Sequence, residues 1–142
     1  MAKIFIDTSA WVAFAIKSDP NHAKAKQIFK NCLEENASLF TSNDIIDEAT
    51  TRLIYGAGFS KAKLFYQLWQ HNLKSGLIAQ LWTDEQIQTE AWQILVKFKD
   101  HKLSLTDASS IALFRRFKID AIFTFDSDFR KVNIPTLPQN SF

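Results

Sequence analysis

The sequence predicts an α/β chain in which short buried strands alternate with helices around a central, mainly parallel sheet. Two observations carry this prediction. The strand candidates, such as Ile4-Phe5-Ile6 and Ala121–Phe125, are solid apolar runs, as expected of strands buried on both faces. The segments between them hold the helical apolar period, so each return to the sheet passes through a helix. The composition agrees: 142 residues, 46% apolar and 23% charged, with 3 Gly and 3 Pro, suit one globular domain spanning 1–142. No repeat, low-complexity tract or linker interrupts it.

Each element has a local cause. Lys3–Asp7 is a compact apolar run closed by an acid and reads as the first strand. Thr8 and Ser9 are good helix caps, and Ala10–Ile16 is apolar enough for a buried turn or two. Asp19-Pro20 interrupts, and Asn21–Glu35 resumes as a helix with Ala25, Ile28, Phe29 and Leu33 in one stripe. Ser38–Thr41 is the second strand. Ser42, Asn43 and Asp44 supply caps for a third helix, which carries Ile45, Ile46, Ala49, Leu53 and Ile54 and stops near Gly56 and Gly58. The fourth helix, Ser60–Lys74, has Leu64, Phe65, Leu68, Trp69 and Leu73 on one side and Gly76 past its end. Leu77–Trp82 is the third strand. Thr83-Asp84-Glu85 caps a fifth helix built on Ile87, Ala91, Ile94, Leu95 and Phe98. Ser104–Phe117 is the sixth helix and Ala121–Phe125 the fourth strand, and Pro135 and Pro138 close the chain.

Several function classes are excluded at this level. A single cysteine, Cys32, rules out an intramolecular disulfide framework and a cysteine-based zinc site, and fits a reducing compartment. His22, His71 and His101 share no ligand spacing. Ala13-Phe14-Ala15 imitates a signal-peptidase site, but Asp7 breaks the apolar run ahead of it. Nothing approaches the ~20 apolar residues of a spanning helix. The expected setting is cytoplasmic, with no membrane partner. The net charge of +2 neither demands nor excludes nucleic acid.

The informative feature is where carboxylates fall. In open parallel sheets, functional groups gather at the carboxyl ends of strands and at the N-termini of the helices beside them. Asp7 ends the first strand and Asp126 follows the fourth. Asp107 lies in the first turn of the sixth helix, and Glu48 about one turn into the third. All four therefore belong to one edge of the sheet. Carboxylates gathered there repel one another and raise each other's pKa unless a cation offsets the charge. Mg²⁺ or Mn²⁺ takes oxygen ligands, and the chemistry it supports beside Lys and Arg is phosphodiester hydrolysis.

Each acid also has a structural role open to it. Asp107 stands three residues after Ser104, the capping-box spacing. Glu48 precedes Arg52 by four, an ordinary surface pair. Asp126 suits a turn, and Asp128 suits the cap of a short helix. Asp7 is the hardest to explain structurally, because a charge at a buried strand end, flanked by Ile6 and Trp11, is costly unless paired or metal-bound.

The runs Ile4-Phe5-Ile6-Asp7-Thr8-Ser9, Asp47-Glu48, Leu105-Thr106-Asp107-Ala108 and Ile122-Phe123-Thr124-Phe125-Asp126-Ser127-Asp128-Phe129 together resemble the PIN domain. Length and the lack of extra domains look most like the VapC-type toxins of prokaryotic toxin–antitoxin pairs. The resemblance covers essentially the whole chain. It implies a three-layer α/β/α fold and a metal-dependent endoribonuclease, with Asp7, Glu48, Asp107 and Asp126 as catalytic acids. Asp7, Asp107 and Asp126 would hold Mg²⁺ or Mn²⁺, and Thr8 or Ser9 would orient the first carboxylate or a bound water. Asp128 rivals Asp126, and Asp47 is a weaker rival to Glu48. Arg52, Arg115, Arg116 and Lys118 are candidate phosphate contacts; for the last three a solvated helix end is an equal alternative. The resemblance also implies a homodimer, which large apolar residues on the third and fourth helices would suit, and an antitoxin peptide covering the site. The aromatics Phe59, Phe65, Tyr66, Trp69, Trp82 and Trp92 are expected to pack in the core by default.

Two other classes compete. A phosphatase or phosphotransferase with Asp7 as nucleophile would want a second acid two residues on, where Ser9 stands. A non-catalytic nucleic-acid or protein-binding module would have no use for four acids obeying one positional rule.

Overall fold

The structure is a computed structural model and describes residues 1–139. Its elements run β1 (Lys3–Ile6), α1 (Thr8–Ala15), α2 (His22–Glu34), β2 (Ser38–Ser42), α3 (Asn43–Ala57), α4 (Phe59–Lys74), β3 (Ile78–Leu81), α5 (Glu85–Lys97), α6 (Leu105–Arg116), β4 (Ala121–Phe123), α7 (Asp128–Lys131) and β5 (Thr136–Leu137). The five strands form one sheet in the order β3-β2-β1-β4-β5, with every neighbouring pair parallel.

That order places the site. From β1 the chain steps outward through β2 to β3, then returns through α5 and α6 to lay β4 on the other side of β1. Right-handed crossovers in opposite directions put their helices on opposite faces of the sheet. Accordingly α1–α4 pack among themselves on one face, and α5 packs on α6 on the other. The reversal between β1 and β4 opens a crevice at the carboxyl ends of those two strands.

The sheet is held by side chains that are apolar on both faces. Phe5, Ile6, Ile122 and Phe123 are fully buried. Phe29 of α2 stands edge-on to Phe123 with ring centroids 5.0 Å apart and to Phe14 at 4.8 Å, and lies 5.5 Å from Trp11. Trp11 also donates its indole N–H to Thr41 Oγ1 (3.3 Å), and Thr41 Oγ1 donates to the Ile6 carbonyl (3.3 Å), so both of these buried groups are satisfied.

The four expected strands and six expected helices are present, with several corrections. The third strand is shorter than Leu77–Trp82, and Trp82 is 65% exposed. Phe125 lies beyond β4, where the chain has already turned away. On α2, Cys32 is buried and Leu33 is exposed. On α4 the packed face is Ala62, Phe65 and Trp69, whereas Leu64 is 67% exposed and Leu68 also faces solvent. Phe59, Tyr66 and Trp92 are exposed rather than core. The short helix after the fourth strand is α7, and its cap position falls on Ser127, with Asp128 as the first helical residue. β5 is an addition to the expected elements; it has two residues between Pro135 and Pro138, too few to show an apolar run. Among the described residues no helix is long and apolar enough to cross a membrane.

Candidate active site at the carboxyl edge of the sheet

Acids follow the carboxyl ends of β1 and β4 and stand in the early turns of α3 and α6. Asp7 follows β1, and its backbone N–H donates to the Phe123 carbonyl (2.9 Å), extending the ladder by one residue. The residue is only 4% exposed. The Thr124 hydroxyl donates to Asp7 Oδ2 at 2.8 Å, and Ser9 Oγ lies 3.3 Å from the same oxygen. Thr124 Oγ1 also accepts from the Asp126 backbone N–H (3.0 Å), and Ser9 Oγ accepts from that of Phe125 (2.9 Å). Ser9 Oγ is also 3.0 Å from Thr124 Oγ1, so its single proton lies between that hydroxyl and the Asp7 carboxylate. These bonds fasten the loop after β4 to the end of β1.

The other acids arrive from both helical layers. Asp107, half-buried in the first turn of α6, completes a capping box: its Oδ2 accepts from Ser104 N–H (3.0 Å), and Ser104 Oγ accepts from Asp107 N–H (3.0 Å). Glu48 on α3 is half-buried and lies 3.7 Å from Arg52 of the next turn. Asp126 Oδ1 accepts from Asp128 N–H (2.9 Å) in a tight turn. The local roles anticipated for Asp107, Glu48 and Asp126 are therefore real, and the charges of Glu48 and Asp126 also act on Asp107.

The charges of these acids act on one another in part. Burial pushes Asp7 up to about 6, against a usual value near 3.8, and the charges of Asp107 and Glu48 push the same way; the Thr124 hydrogen bond opposes them. Asp107 is raised by burial and then by Asp126 and Glu48, against its hydrogen bonds with Ser104. Asp126 is raised by burial and by Asp128, and Arg52 opposes this. Thr124→Val keeps the shape but removes the hydroxyl. It is expected to push Asp7 higher still and to cost roughly 1–3 kcal/mol at pH 7.5, because the Asp126 N–H loses its acceptor. A urea midpoint equal to that of the wild type would show that this hydroxyl does not hold the loop.

Among the described residues no three His, Cys, Asp or Glu side chains form a ready-made metal cage. A hard divalent cation needs less, since Mg²⁺ is usually held by one or two carboxylates and keeps several waters. Every donor at this edge is carboxylate or hydroxyl oxygen, the ligand type such an ion prefers. Thr8 Oγ1, buried next to Asp7, has no hydrogen-bond partner among the described residues. The residues fit an open, water-rich Mg²⁺ or Mn²⁺ site rather than a closed one.

The candidate phosphate contacts separate. Arg52 stands at the rim of the acids, acting on both Glu48 and Asp126. Arg115, Arg116 and Lys118 are at the other end of α6, where eight residues at ~1.5 Å each put Arg115 about 12 Å along the axis from Asp107. Arg116 is engaged by Glu90 of α5 at 2.6 Å. Asp47 is exposed, whereas Glu48 acts on the other acids. Sequence reasoning misses Thr124, although a threonine between Phe123 and Phe125 at a strand end is the signal available.

Comparison with known proteins gives a consistent picture. The PIN domain family model matches residues 4–135. The 23S rRNA-specific endonuclease VapC20 of Mycobacterium tuberculosis is 28% identical over 126 residues, covering 89% of this chain and 91% of that protein. The crystal structure of M. tuberculosis VapC20, described as a toxin that cleaves the sarcin–ricin loop, superposes with a TM-score of 0.82 at 26% identity, covering 92% of this chain and 95% of that one. VapBC2 of Rickettsia felis, bound to a promoter DNA fragment, superposes with a TM-score of 0.66 at 9% identity over 94% of this chain and 96% of that one, a likeness of fold alone.

Proposed function

The chain belongs to the PIN domain family, and from that premise we propose that it is a metal-dependent endoribonuclease, the toxin of a type II toxin–antitoxin pair, acting on ribosomal RNA. The observation that carries the reading is the buried Asp7 carboxylate, raised to about 6 beside Asp107 and Glu48. A fold gains nothing from packing repelling acids at one edge unless a cation or a reaction uses them. The likeness to VapC20 supports the substrate class.

Asp7 and Asp107, with Asp126, would hold Mg²⁺ or Mn²⁺. Such an ion, when bound, lowers the pKa of a coordinated water and stabilises charge on the phosphate. The chain's own residues do the rest. Thr124 and Ser9 fix the Asp7 carboxylate, and the capping box fixes Asp107 against α6. Glu48 would orient the attacking water or take its proton, and Arg52 would meet the phosphate backbone through charge, which gives affinity without sequence preference. The exposed Tyr55, Phe59, Leu64 and Leu68 on α3 and α4 support a homodimer. The antitoxin partner is supported by likeness to the VapC relatives, and a cytoplasmic setting by the single cysteine.

The test is cleavage of a stem-loop RNA carrying the sarcin–ricin sequence, in Mg²⁺, in Mn²⁺ and in EDTA. Cleavage should need the metal and disappear in Asp7→Asn. Intact RNA with either ion, from protein shown by mass spectrometry to be free of any co-purified peptide, would sink the proposal.

A further inference from the structure

We propose that Asp44 and Ser109 form a positioning pair that sets the spacing between the helices carrying Glu48 and Asp107, an inference that rests on the nuclease reading of this edge. Ser109 Oγ, buried on α6, lies 3.0 Å from Asp44 Oδ2 in the first turn of α3. The two residues are 65 apart in sequence, and their helices belong to opposite layers of the sheet. The bond therefore joins the two layers above the acid edge. Asp44 precedes Glu48 by four residues and shares its helix face, while Ser109 follows Asp107 by two.

Neither residue caps its own helix. The cap of α3 is Ser42, whose Oγ accepts from Ile45 N–H (3.2 Å), and α6 is capped by the Ser104–Asp107 box. The Ser109 hydroxyl already has a backbone acceptor in the Thr106 carbonyl at 2.8 Å, so it would not be left unsatisfied without Asp44. What Asp44 adds is a charged acceptor that draws the same proton across the gap between helices. Neither Asp44 nor Ser109 is bonded to Asp7 or Arg52. Losing it loosens α3 against α6 and leaves the remaining contacts in place.

The test uses the full chain. Asp44→Ala and Ser109→Ala should each lower kcat for RNA cleavage by about 10- to 100-fold with KM unchanged, the range seen when groups supporting an active site are removed. Each should weaken Mn²⁺ binding, measured by calorimetry, in parallel. Asp44→Asn, which still accepts from Ser109, should stay within about fivefold of wild type. The double alanine variant should be no worse than the worse single one, because both remove the same bond. Alanine variants with wild-type kcat and Mn²⁺ affinity would overturn the pairing. So would an Asp44→Asn variant as impaired as Asp44→Ala, which would assign the carboxylate charge a direct role. A wild-type chain that binds Mn²⁺ but cleaves no RNA refutes the nuclease reading alone, and the Mn²⁺ titrations of the variants still decide the pair. A chain that binds no Mn²⁺ refutes both.

Discussion

In EDTA at pH 7.5, Asp7→Asn melts at a higher temperature than the wild type while cleaving no RNA. The sign follows from linkage. Folded Asp7 keeps its proton up to about pH 6, whereas an unfolded aspartate releases it near 3.8. Between those values the folded state binds more protons than the unfolded one, so stability falls as pH rises through the window. By pH 7.5 the folded chain holds a buried, ionised Asp7 at a cost of up to about 3 kcal/mol. Asparagine has no such cost and still offers an oxygen to Thr124. For a chain of this length the gain corresponds to roughly 10 °C. Because Asp107 and Asp126 are raised by the same neighbourhood, the wild type carries further penalties in the same direction. The difference between wild type and variant should shrink as pH falls, to about 1 kcal/mol near pH 4.5. It should vanish below 3.8, where Asp7 is protonated in the folded and unfolded chain alike. Saturating Mn²⁺ at neutral pH should then favour the wild type, by about 2.7 kcal/mol at a hundredfold excess over Kd, and do much less for the variant. Differential scanning calorimetry from about pH 4.5 to 7.5, with and without Mn²⁺, covers most of the window in which the linkage acts. A variant no more stable than wild type at pH 7.5, or a difference independent of pH, would show that Asp7 is not destabilised by its surroundings.

How much of this is legible in the sequence depends on whether a residue's local and distant roles agree. Asp7 is legible because no local role accounts for a charge at the end of Ile4-Phe5-Ile6. Asp107, Glu48 and Asp126 each look ordinary for a sound reason: the capping box, the Arg52 pair and the tight turn all exist. Helix N-termini and strand ends are where capping needs polar residues and where open parallel sheets build sites, so the two roles fall on the same side chains. Thr124 and Asp44 are not legible as site residues, because each fits its own element and its partner comes from 117 or 65 residues away.

The fold shows the same division. The strands β1 and β4 are unmistakable apolar runs, whereas β5 has only two residues and exists because β4 offers it an edge. On α4 the period is correct but two adjacent faces are apolar. Periodicity alone could not decide that Ala62, Phe65 and Trp69 would pack inward while Leu64 and Leu68 faced out. Leu64 and Leu68 are thereby left as an exposed apolar face of α4.

The two acids of the FDSDF segment are expected to behave very differently on substitution. Asp126→Asn should lower kcat by about 100-fold or more, while Asp128→Asn stays within about fivefold of wild type. Asp126 is held at the site twice: its N–H bonds the Thr124 hydroxyl that also holds Asp7, and its charge acts on Asp107. The Asp128 carboxylate is 3.5 Å from Lys131 of the next turn, whose ammonium is largely exposed, a pair worth at most about 1 kcal/mol, and it also bears on Asp126. The asparagine substitution at Asp126 is informative because it preserves the turn. The amide oxygen that replaces the carboxylate would still accept from the Asp128 N–H, so a loss of rate would reflect the missing charge and not a collapsed loop. Circular dichroism melts of both variants check that premise, and single-turnover cleavage rates give the answer. Equal losses would mean that the loop presents both acids to the phosphate. A loss confined to Asp128→Asn would transfer the role to Asp128 and turn Asp126 into its support.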